Sequence, residues 1–262
     1  MRTVGSLPTP WCLDPYLVAE RADAELHAFA SDPEACVLVL DDHPGRSLVG
    51  IGRPEAVARL LTQSAAAFAA HRPRTLTLER GAWEQVSDEV RETLVGSHRV
   101  SEWDWMWTRT PLRLDADPGV PTRQVERLVP GPESDALVTD CLARAHPVAS
   151  TLPGDPRLTG WWGVRDGDRL VATVGAVELY PGAPPHLVSL GVDPERRGEG
   201  LAGAVLAAAV EDGLRRVPAV GDPMVHLGLY ASNDVARRVY RRLGFTLEHR
   251  FVSVRETVGE PG

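Results

Sequence analysis

One stretch, Leu187–Ala202, constrains the fold of this chain more than any other. It begins with an apolar run, Leu187–Val192, of the kind that forms a buried strand. Pro194 then ends the strand, because proline has no backbone N–H, and Gly198 and Gly200 precede an alanine- and leucine-rich helical pattern. A strand, a glycine-rich turn and a helix in this order leave unpaired N–H groups that an anion can approach. The stretch therefore predicts a phosphate-binding turn.

The composition excludes several functions. The chain has 262 residues with a net charge of -8 and a pI of about 5.5, which argues against nucleic-acid binding. All 28 basic residues are arginine, so Schiff-base chemistry and a lysine-dependent P-loop are excluded. No apolar run approaches the ~18 residues of a membrane-spanning helix, and the N-terminus shows no apolar secretory segment. We therefore expect neither a nucleic-acid nor a membrane partner.

The three cysteines are Cys12, Cys36 and Cys141, and they are widely spaced. An odd number at such spacing forms neither a disulfide framework nor a metal-ligand cluster. We therefore expect a cytoplasmic protein that holds no metal.

Hydrophobic periodicity predicts helices and short strands along the whole chain, which is typical of a mixed α/β (α+β) fold class. Proline, glycine and aspartate are concentrated at Asp115–Pro121, which we interpret as a domain boundary. Helices are predicted over 14–30, 53–70, 82–95, 132–145, 200–217 and 234–243. Strands are predicted over 36–40, 48–51, 75–78, 102–108, 124–128, 161–164, 170–179, 187–192, 224–230 and 245–254.

Two segments together resemble a known family. Val192–Ala202 is similar to the V-x-P-x-x-R-G-x-G-x-[GA] loop of the GNAT (GCN5-related) N-acetyltransferase superfamily, and Asn233–Phe245 is similar to its N-x-x-A-x-x-x-Y-x-x-x-G-F segment. The resemblance covers about Pro121–Phe251. It implies the GNAT fold, in which helices flank a central mixed, mostly antiparallel sheet.

The resemblance implies acetyl-CoA as co-substrate. The loop would hold the pyrophosphate of CoA at the helix start, and the strand before the loop would splay from its neighbour and bind the pantetheine arm and thioester through its backbone. The implied cofactor-binding residues are Leu190, Gly191, Val192, Arg197, Gly198, Glu199, Gly200, Leu201, Ala202 and Asn233. Of these, Asn233 would bind the pantetheine arm or cap the following helix.

The resemblance also implies catalytic roles for side chains. Tyr240 occupies the position of the family's tyrosine near the CoA sulfur and would act as the general acid. The base is left open between His186, which titrates near neutrality, Glu178 at the end of the preceding strand, and a chain of water molecules.

The N-terminal half alternates helices and strands on a similar scale but has no loop able to bind CoA. We therefore expect a tandem arrangement, with a degenerate GNAT-like domain over 1–115 and a catalytic GNAT domain over 121–262. The leading hypothesis is acetyl transfer from acetyl-CoA to a primary amine, on a small molecule or a peptide, by direct attack in a ternary complex of a monomer or homodimer.

Three other functions compete with this hypothesis. The first is a non-catalytic acyl-CoA-binding or regulatory module, and the second is an enzyme similar to mycothiol synthase or glycine N-acyltransferase. The third, a dinucleotide-binding oxidoreductase, is disfavoured because the glycines do not form G-x-G-x-x-G and no acidic ribose partner follows.

Overall fold

The computed structural model describes residues 1–42, 45–112 and 125–257. The chain folds into two compact units, neither of which is one continuous segment. Unit 1 comprises Met1–Trp105, Leu229–Asp234 and Leu247–Gly262, and unit 2 comprises Met106–Gly228 and Val235–Thr246. The boundary expected at Asp115–Pro121 lies outside the described residues, and the domain ranges 1–115 and 121–262 stay predictions.

In the described residues, unit 1 contains three α-helices and most of six strands. The helices are α1 (Pro15–Arg21), α2 (Pro54–Ala69) and α3 (Asp88–Leu94), and the strands are β1 (Leu26–Ser31), β2 (Ala35–Asp42), β3 (Gly45–Gly52), β4 (Thr75–Glu79), β5 (His98–Thr108) and β11 (Thr246–Glu256). The strand order is β1-β2-β3-β4-β11-β5. β3 and β4 run parallel, with α2 as the crossover, whereas β2 lies antiparallel to β1 and β3, and β11 antiparallel to β4.

Unit 2 holds most residues of the remaining helices and strands. The helices are α4 (Pro132–Ala145), α5 (Leu201–Leu214) and α6 (Asp234–Leu243), and the strands are β6 (Glu126–Arg127), β7 (Leu158–Asp166), β8 (Arg169–Val177), β9 (His186–Val192) and β10 (Val225–Tyr230). The strand order is β10-β9-β8-β7-β6. β9 and β10 are parallel around the crossover helix α5, and the other pairs are antiparallel. This mixed, mostly antiparallel pairing with flanking helices confirms the predicted fold class.

Each unit has its own buried core. In unit 1, Val57, Leu61 and Phe68 on α2 share one buried cluster with Val37 of β2 and Leu76 of β4. Leucine, valine and phenylalanine at helical spacing thus cover one face of a sheet, as an amphipathic helix does.

In unit 2, α4 supplies the corresponding apolar face. Val138, Cys141 and Leu142 cluster with Trp161 of β7 and Leu170 of β8. The predicted helices 132–145 and 234–243 are confirmed, as is 53–70 to within a residue at each end.

Two predicted helices of the N-terminal half were wrong in extent. The helix expected over 14–30 ends at Arg21, and Leu26–Ser31 forms β1, because its backbone pairs with β2 and tertiary pairing outweighs an ambiguous apolar pattern. The helix expected over 82–95 is interrupted: a 3₁₀ turn covers Trp83–Gln85, and α3 starts anew after Ser87, whose side chain accepts a hydrogen bond from the Val90 N–H at 3.4 Å. No helix in the described ranges is long and apolar enough to cross a bilayer.

Candidate active site

The centre of β9 carries a β-bulge. Between the pairs Thr173–Gly191 and Gly175–Val188, β9 has one residue more than β8. Ser189, one of the two bulged residues, has a φ of 52°, in the left-handed region that few residues other than glycine adopt. A bulge of this kind redirects backbone groups and bends the strand, so β9 does not continue a regular ladder here.

The edge of β9 that faces β10 is largely unpaired. Across the described residues of these two strands, the ladder consists of the single pair His226–His186. On the opposite edge, the Asp193 N–H donates to the Val171 carbonyl of the β8 ladder at 2.9 Å. Because backbone groups alternate between the two edges of a strand, the N–H and C=O of Val192 point away from β8. In the described part of β10, no residue pairs with the backbone N–H and C=O of Val192. The role of this backbone in binding a pantetheine arm stays a prediction.

The loop after β9 is a short 3₁₀ turn followed by two glycines. Gly198 has a φ of 85° and Gly200 a φ of 74°, and α5 begins directly after Gly200. A Cβ at either glycine would meet no atom within 4 Å in the part of the chain that the structure describes. These glycines are therefore required for their backbone conformation and leave open space beside the loop.

The N–H groups of this loop are available to a ligand. α5 has no side-chain cap, and its first hydrogen bond runs from the Ala204 N–H to the Gly200 carbonyl at 3.1 Å. Among the described residues, no acceptor receives the N–H groups of Gly198, Gly200 or Leu201. Unpaired N–H groups at the positive end of a helix dipole suit a phosphate group, so the residues present fit the pyrophosphate of CoA.

Asp193 fixes the start of the loop. Its side chain is buried, and it accepts hydrogen bonds from Arg169 at 2.8 Å, from Arg144 at 3.3 Å and from the Glu195 N–H at 3.3 Å. Burial opposes ionisation, but the Glu195 N–H and the two guanidinium groups outweigh it and hold the pKa of Asp193 below its usual value. The carboxylate therefore ties the loop to α4 and to β8.

Arg196 fixes the middle of the loop. Its guanidinium donates to both carboxylate oxygens of Glu199, at 2.8 and 3.1 Å, and to Asp166 of the β7–β8 hairpin. These partners raise the pKa of Arg196. The next residue, Arg197, makes a long contact of 3.5 Å with the carbonyl of Ala145. The Glu199 side chain is therefore engaged within the loop.

Tyr240 lies on α6, which ends in a glycine. Its side chain is buried, and burial alone raises the pKa of the phenol to about 12. The ring packs edge-on against Phe245 at 5.7 Å between centroids. Gly244, with a φ of 111°, lets the chain reverse so that the Phe245 N–H donates to the Tyr240 carbonyl at 3.0 Å. The G-F dipeptide of the second segment thus holds Tyr240 in place.

Residues 133–245 match the family model described as the acetyltransferase (GNAT) family. This range contains both the glycine loop and Tyr240. It is a GNAT acetyltransferase domain.

Several solved structures are similar to this chain over most of its length. An acetyltransferase of the GNAT family from Novosphingobium aromaticivorans is 22% identical, covers 87% of this chain and 92% of its own, and has a TM-score of 0.48. A GCN5-related N-acetyltransferase from Kribbella flavida is 20% identical, with coverages of 88% and 90% and a TM-score of 0.49. A Drosophila protein is 15% identical, with coverages of 85% and 74% and a TM-score of 0.50. No curated protein matches the chain.

His186, the first residue of β9 in the GNAT domain, has a partner that the sequence did not reveal. Its Nδ1 lies 3.1 Å from Nδ1 of His226, with the two rings edge-to-face at 4.7 Å. His226 is fully buried, and its N–H donates to the Pro185 carbonyl at 3.1 Å. No spacing rule links residues forty positions apart, so only the β9–β10 register could have identified His226.

The Glu178 carboxylate accepts hydrogen bonds from groups that lie away from the glycine loop. Its two oxygens accept from Arg216 at 2.7 Å and from the Gly182 N–H at 3.3 Å. Glu178 and Arg216 line a cavity of about 290 Å³ that also borders Gly213, near the end of α5. The glycine loop is at the other end of this helix, at Gly200. The structure thus brings Glu178 to Arg216 and not to the loop.

Asn233 directly precedes α6 and belongs to unit 1. Its N–H donates to the Tyr230 carbonyl at 2.9 Å. Its predicted part in pantetheine binding or helix capping stays a prediction.

Proposed function

We propose that the GNAT domain transfers an acetyl group from acetyl-CoA to a primary amine of a small molecule or peptide. The observation that carries this proposal is the loop before α5, where unpaired N–H groups lie beside open space at Gly198 and Gly200. Such a loop suits a pyrophosphate without any lysine. Free backbone groups on the β10-facing edge of β9 offer hydrogen bonds to the amides of a pantetheine arm.

Direct transfer needs few side chains. The amine nitrogen attacks the thioester carbon, the C–N bond forms, the C–S bond breaks, and one proton leaves the nitrogen while one reaches the sulfur. Tyr240, with a pKa of about 12, stays protonated at neutral pH and can donate to the charge that develops on the departing sulfur. Its role here is hydrogen-bond donor and general acid.

We assign His186 as the general base that accepts the proton from the attacking amine nitrogen. A neutral imidazole can accept a proton near pH 7, and His186 lies where β9 and β10 begin to diverge. Glu178 is the weaker candidate, because Arg216 and Gly182 occupy its oxygens.

We further propose that unit 1 is a GNAT-like half that does not bind CoA. Its β3–α2 crossover has the same order of strand, glycine turn and helix, but Pro54 starts the helix and Gly52 is crowded by backbone. Unit 1 would then help to select the amine acceptor, or it would stabilise the chain.

A two-part measurement tests the proposal. Acetyl-CoA is titrated into the protein by calorimetry, and CoA thiol release is followed across a panel of primary amines. We expect binding, and thiol release with at least one amine. Binding without release from any amine would favour the non-catalytic module, and absence of binding would contradict both functions.

A further inference from the structure

The segment that follows α4 lies against β9 at its bulge. A Cβ at Gly191, which directly follows the bulge, would lie 3.1 Å from Cβ of Ala145 and 3.8 Å from Cβ of His146. Ser189, in the bulge itself, donates its hydroxyl hydrogen to the Thr151 carbonyl at 2.7 Å. The stretch from His146 to Thr151 therefore borders the part of β9 that the sequence predicted to bind the pantetheine arm and the thioester.

The imidazole of His146 is a polar group that the protein itself does not use. Neither of its nitrogens has a hydrogen-bond partner in the part of the chain that the structure describes, and Nδ1 is buried. A buried nitrogen without a partner costs free energy, which a ligand can restore by pairing with it. The ring as a whole is half-buried, and a half-turn about its Cβ–Cγ bond exchanges Nδ1 with a carbon atom. A ligand at the accessible edge of the ring can therefore pair with a nitrogen.

The main chain at His146 is engaged, in contrast to the side chain. The N–H of His146 donates to the Leu142 carbonyl at 2.8 Å, and its carbonyl accepts from the Ala149 N–H at 3.0 Å. These two hydrogen bonds fix the place from which the imidazole extends at the end of α4.

The two faces of the sheet in unit 2 are covered by different helices. Trp161 of β7 belongs to the buried cluster of α4, whereas the next residue, Trp162, donates its indole N–H to Asp212 of α5 at 3.0 Å. Because successive side chains of a strand point to opposite faces, α4 and α5 lie on opposite sides of the sheet. The glycine loop opens α5, so the phosphate end of acetyl-CoA would lie at the α5 side. The side of α4, where His146 lies, is then left for the amine.

We propose that His146 is an amine-binding residue: its imidazole hydrogen-bonds a second polar group of the amine substrate and so positions the amine nitrogen beside the thioester. The inference rests on the proposed acetyl transfer and names its substrate class. The substrate is a primary amine that carries a hydroxyl, amide or carboxyl group within a few bonds of its nitrogen. A site with a polar group to satisfy discriminates against the analogue that lacks the partner, because the polar group of the site is then left unpaired.

Two amines and two substitutions test the proposal. The fastest polar amine of the panel is compared with the alkylamine of the same carbon chain. In His146→Leu, which offers no hydrogen-bonding atom, we expect kcat/KM for the polar amine to fall about tenfold and that for the alkylamine by less than about twofold. In His146→Asn the amide can stand near the place of Nδ1, and we expect a loss of less than about threefold for the polar amine.

The affinity for CoA, measured by calorimetry, separates the amine from the cofactor as the ligand of His146. It should stay within about twofold in both variants. A loss of CoA affinity in both variants would assign His146 to the cofactor, and equal losses of kcat/KM for the two amines, with both variants folded by circular dichroism, would assign it to packing. Either result overturns the proposal, as does an unsubstituted protein that uses alkylamines as well as their polar counterparts.

The same measurements keep the two proposals apart. If no amine releases CoA from the unsubstituted protein, the proposed acetyl transfer fails, and the role of His146 fails with it. If the polar amine releases CoA equally well in His146→Leu, the acetyl transfer stands and the inference about His146 alone is overturned.

Discussion

Both units contain the same motif, but its turn is closed in unit 1 and open in unit 2. In each, a strand leads through a glycine turn into a crossover helix: β3 into α2 in unit 1, and β9 into α5 in unit 2. In unit 1 the chain itself fills the turn. A Cβ at Gly52 would lie 2.3 Å from the Glu34 carbonyl oxygen, the Arg53 N–H already donates to that oxygen at 2.9 Å, and Pro54 has no N–H. In unit 2 a Cβ at Gly200 would meet no atom of the described residues within 4 Å, and no acceptor among them receives the N–H groups of Gly198 or Leu201.

This difference shows that a glycine before a helix is not by itself an anion site. Gly52 is needed so that β2 and the start of α2 can approach each other, whereas Gly200 leaves both space and donors for a ligand. Substitutions at the two glycines should therefore have different effects: at Gly52 the free energy of unfolding falls, and at Gly200 the affinity for the ligand is lost.

The largest effect is expected for Gly200→Val. The valine side chain would fill the open space beside the loop and disfavour the φ of 74°. We expect the affinity for acetyl-CoA to fall by more than about a thousandfold, or ~4 kcal/mol, when it is measured by calorimetry.

Gly154→Val is the matched control. Gly154 also has a positive φ, 91°, and a Cβ there would meet nothing within 4 Å, but it lies outside the loop. It should lose a similar amount of stability and keep its affinity for acetyl-CoA. Retained binding in Gly200→Val would contradict the assignment of the loop.

Gly52→Ala tests the other side of the comparison. The new Cβ would clash with backbone atoms of Glu34 and Ala35, which cannot move as a side chain can. We expect the free energy of unfolding to fall by about 3 kcal/mol in urea titrations. Gly81→Ala, with a φ of 92° and only the Pro54 side chain nearby, isolates the backbone strain and should cost about 1 kcal/mol. Equal losses at Gly52 and Gly81 would show that the turn is not closed by steric contact.

How much of this the sequence could predict differs between the two turns. The helices α4 and α6 were predicted with their observed bounds, because a long 3.6-residue periodicity and clear end signals are local properties. The open loop was predicted from Gly198 and Gly200, because a glycine has no Cβ to keep a phosphate away from the backbone. That Gly52 is crowded depends on β2, which is distant in sequence, so no local pattern could show it.

The same limit explains the side chains that sequence reasoning missed. Asp193 is visible as the second residue of the loop motif, but its partners Arg144 and Arg169 come from α4 and β8. His226 becomes relevant only through the register that sets it opposite His186. The β1 strand was misassigned for a related reason, because its pairing with β2 decided the structure of an ambiguous segment.

Tyr240→Phe extends the comparison to the buried polar groups of unit 2. The substitution removes only the hydroxyl, so the fold and the affinity for acetyl-CoA should be retained. If the phenol stabilises the departing sulfur, kcat for CoA release should fall about a hundredfold, or ~2.7 kcal/mol, with KM for acetyl-CoA within about twofold. Tyr180→Phe, at another buried tyrosine of unit 2, should leave kcat unchanged. An unaltered kcat in Tyr240→Phe would remove this residue as the acid.

The smallest effect is expected at His249, a buried histidine of unit 1 that lies between two carboxylates. His249 is buried, with Nε2 3.2 Å from Asp14 and Nδ1 at Glu79, and it stacks on Phe251. Burial alone would lower its pKa, but hydrogen bonds and attraction from the two carboxylates raise the pKa to about 10. Because the folded pKa lies above the unfolded value of ~6.5, this stabilisation is complete below about pH 6.5 and is lost as the pH rises through about 10.

His249→Gln should therefore lower the free energy of unfolding at neutral pH, and this loss should shrink as the pH rises. We expect the free energy of unfolding to be lower than in the unsubstituted protein by on the order of 2 kcal/mol at pH 7, and the two to converge near pH 10.5. His27→Gln removes a histidine whose partner, Asp41, is exposed, and it should change stability by less than about 0.5 kcal/mol at either pH. A gap for His249→Gln that stays constant between pH 7 and pH 10.5 would mean that His249 contributes by packing on Phe251 and not by its charge.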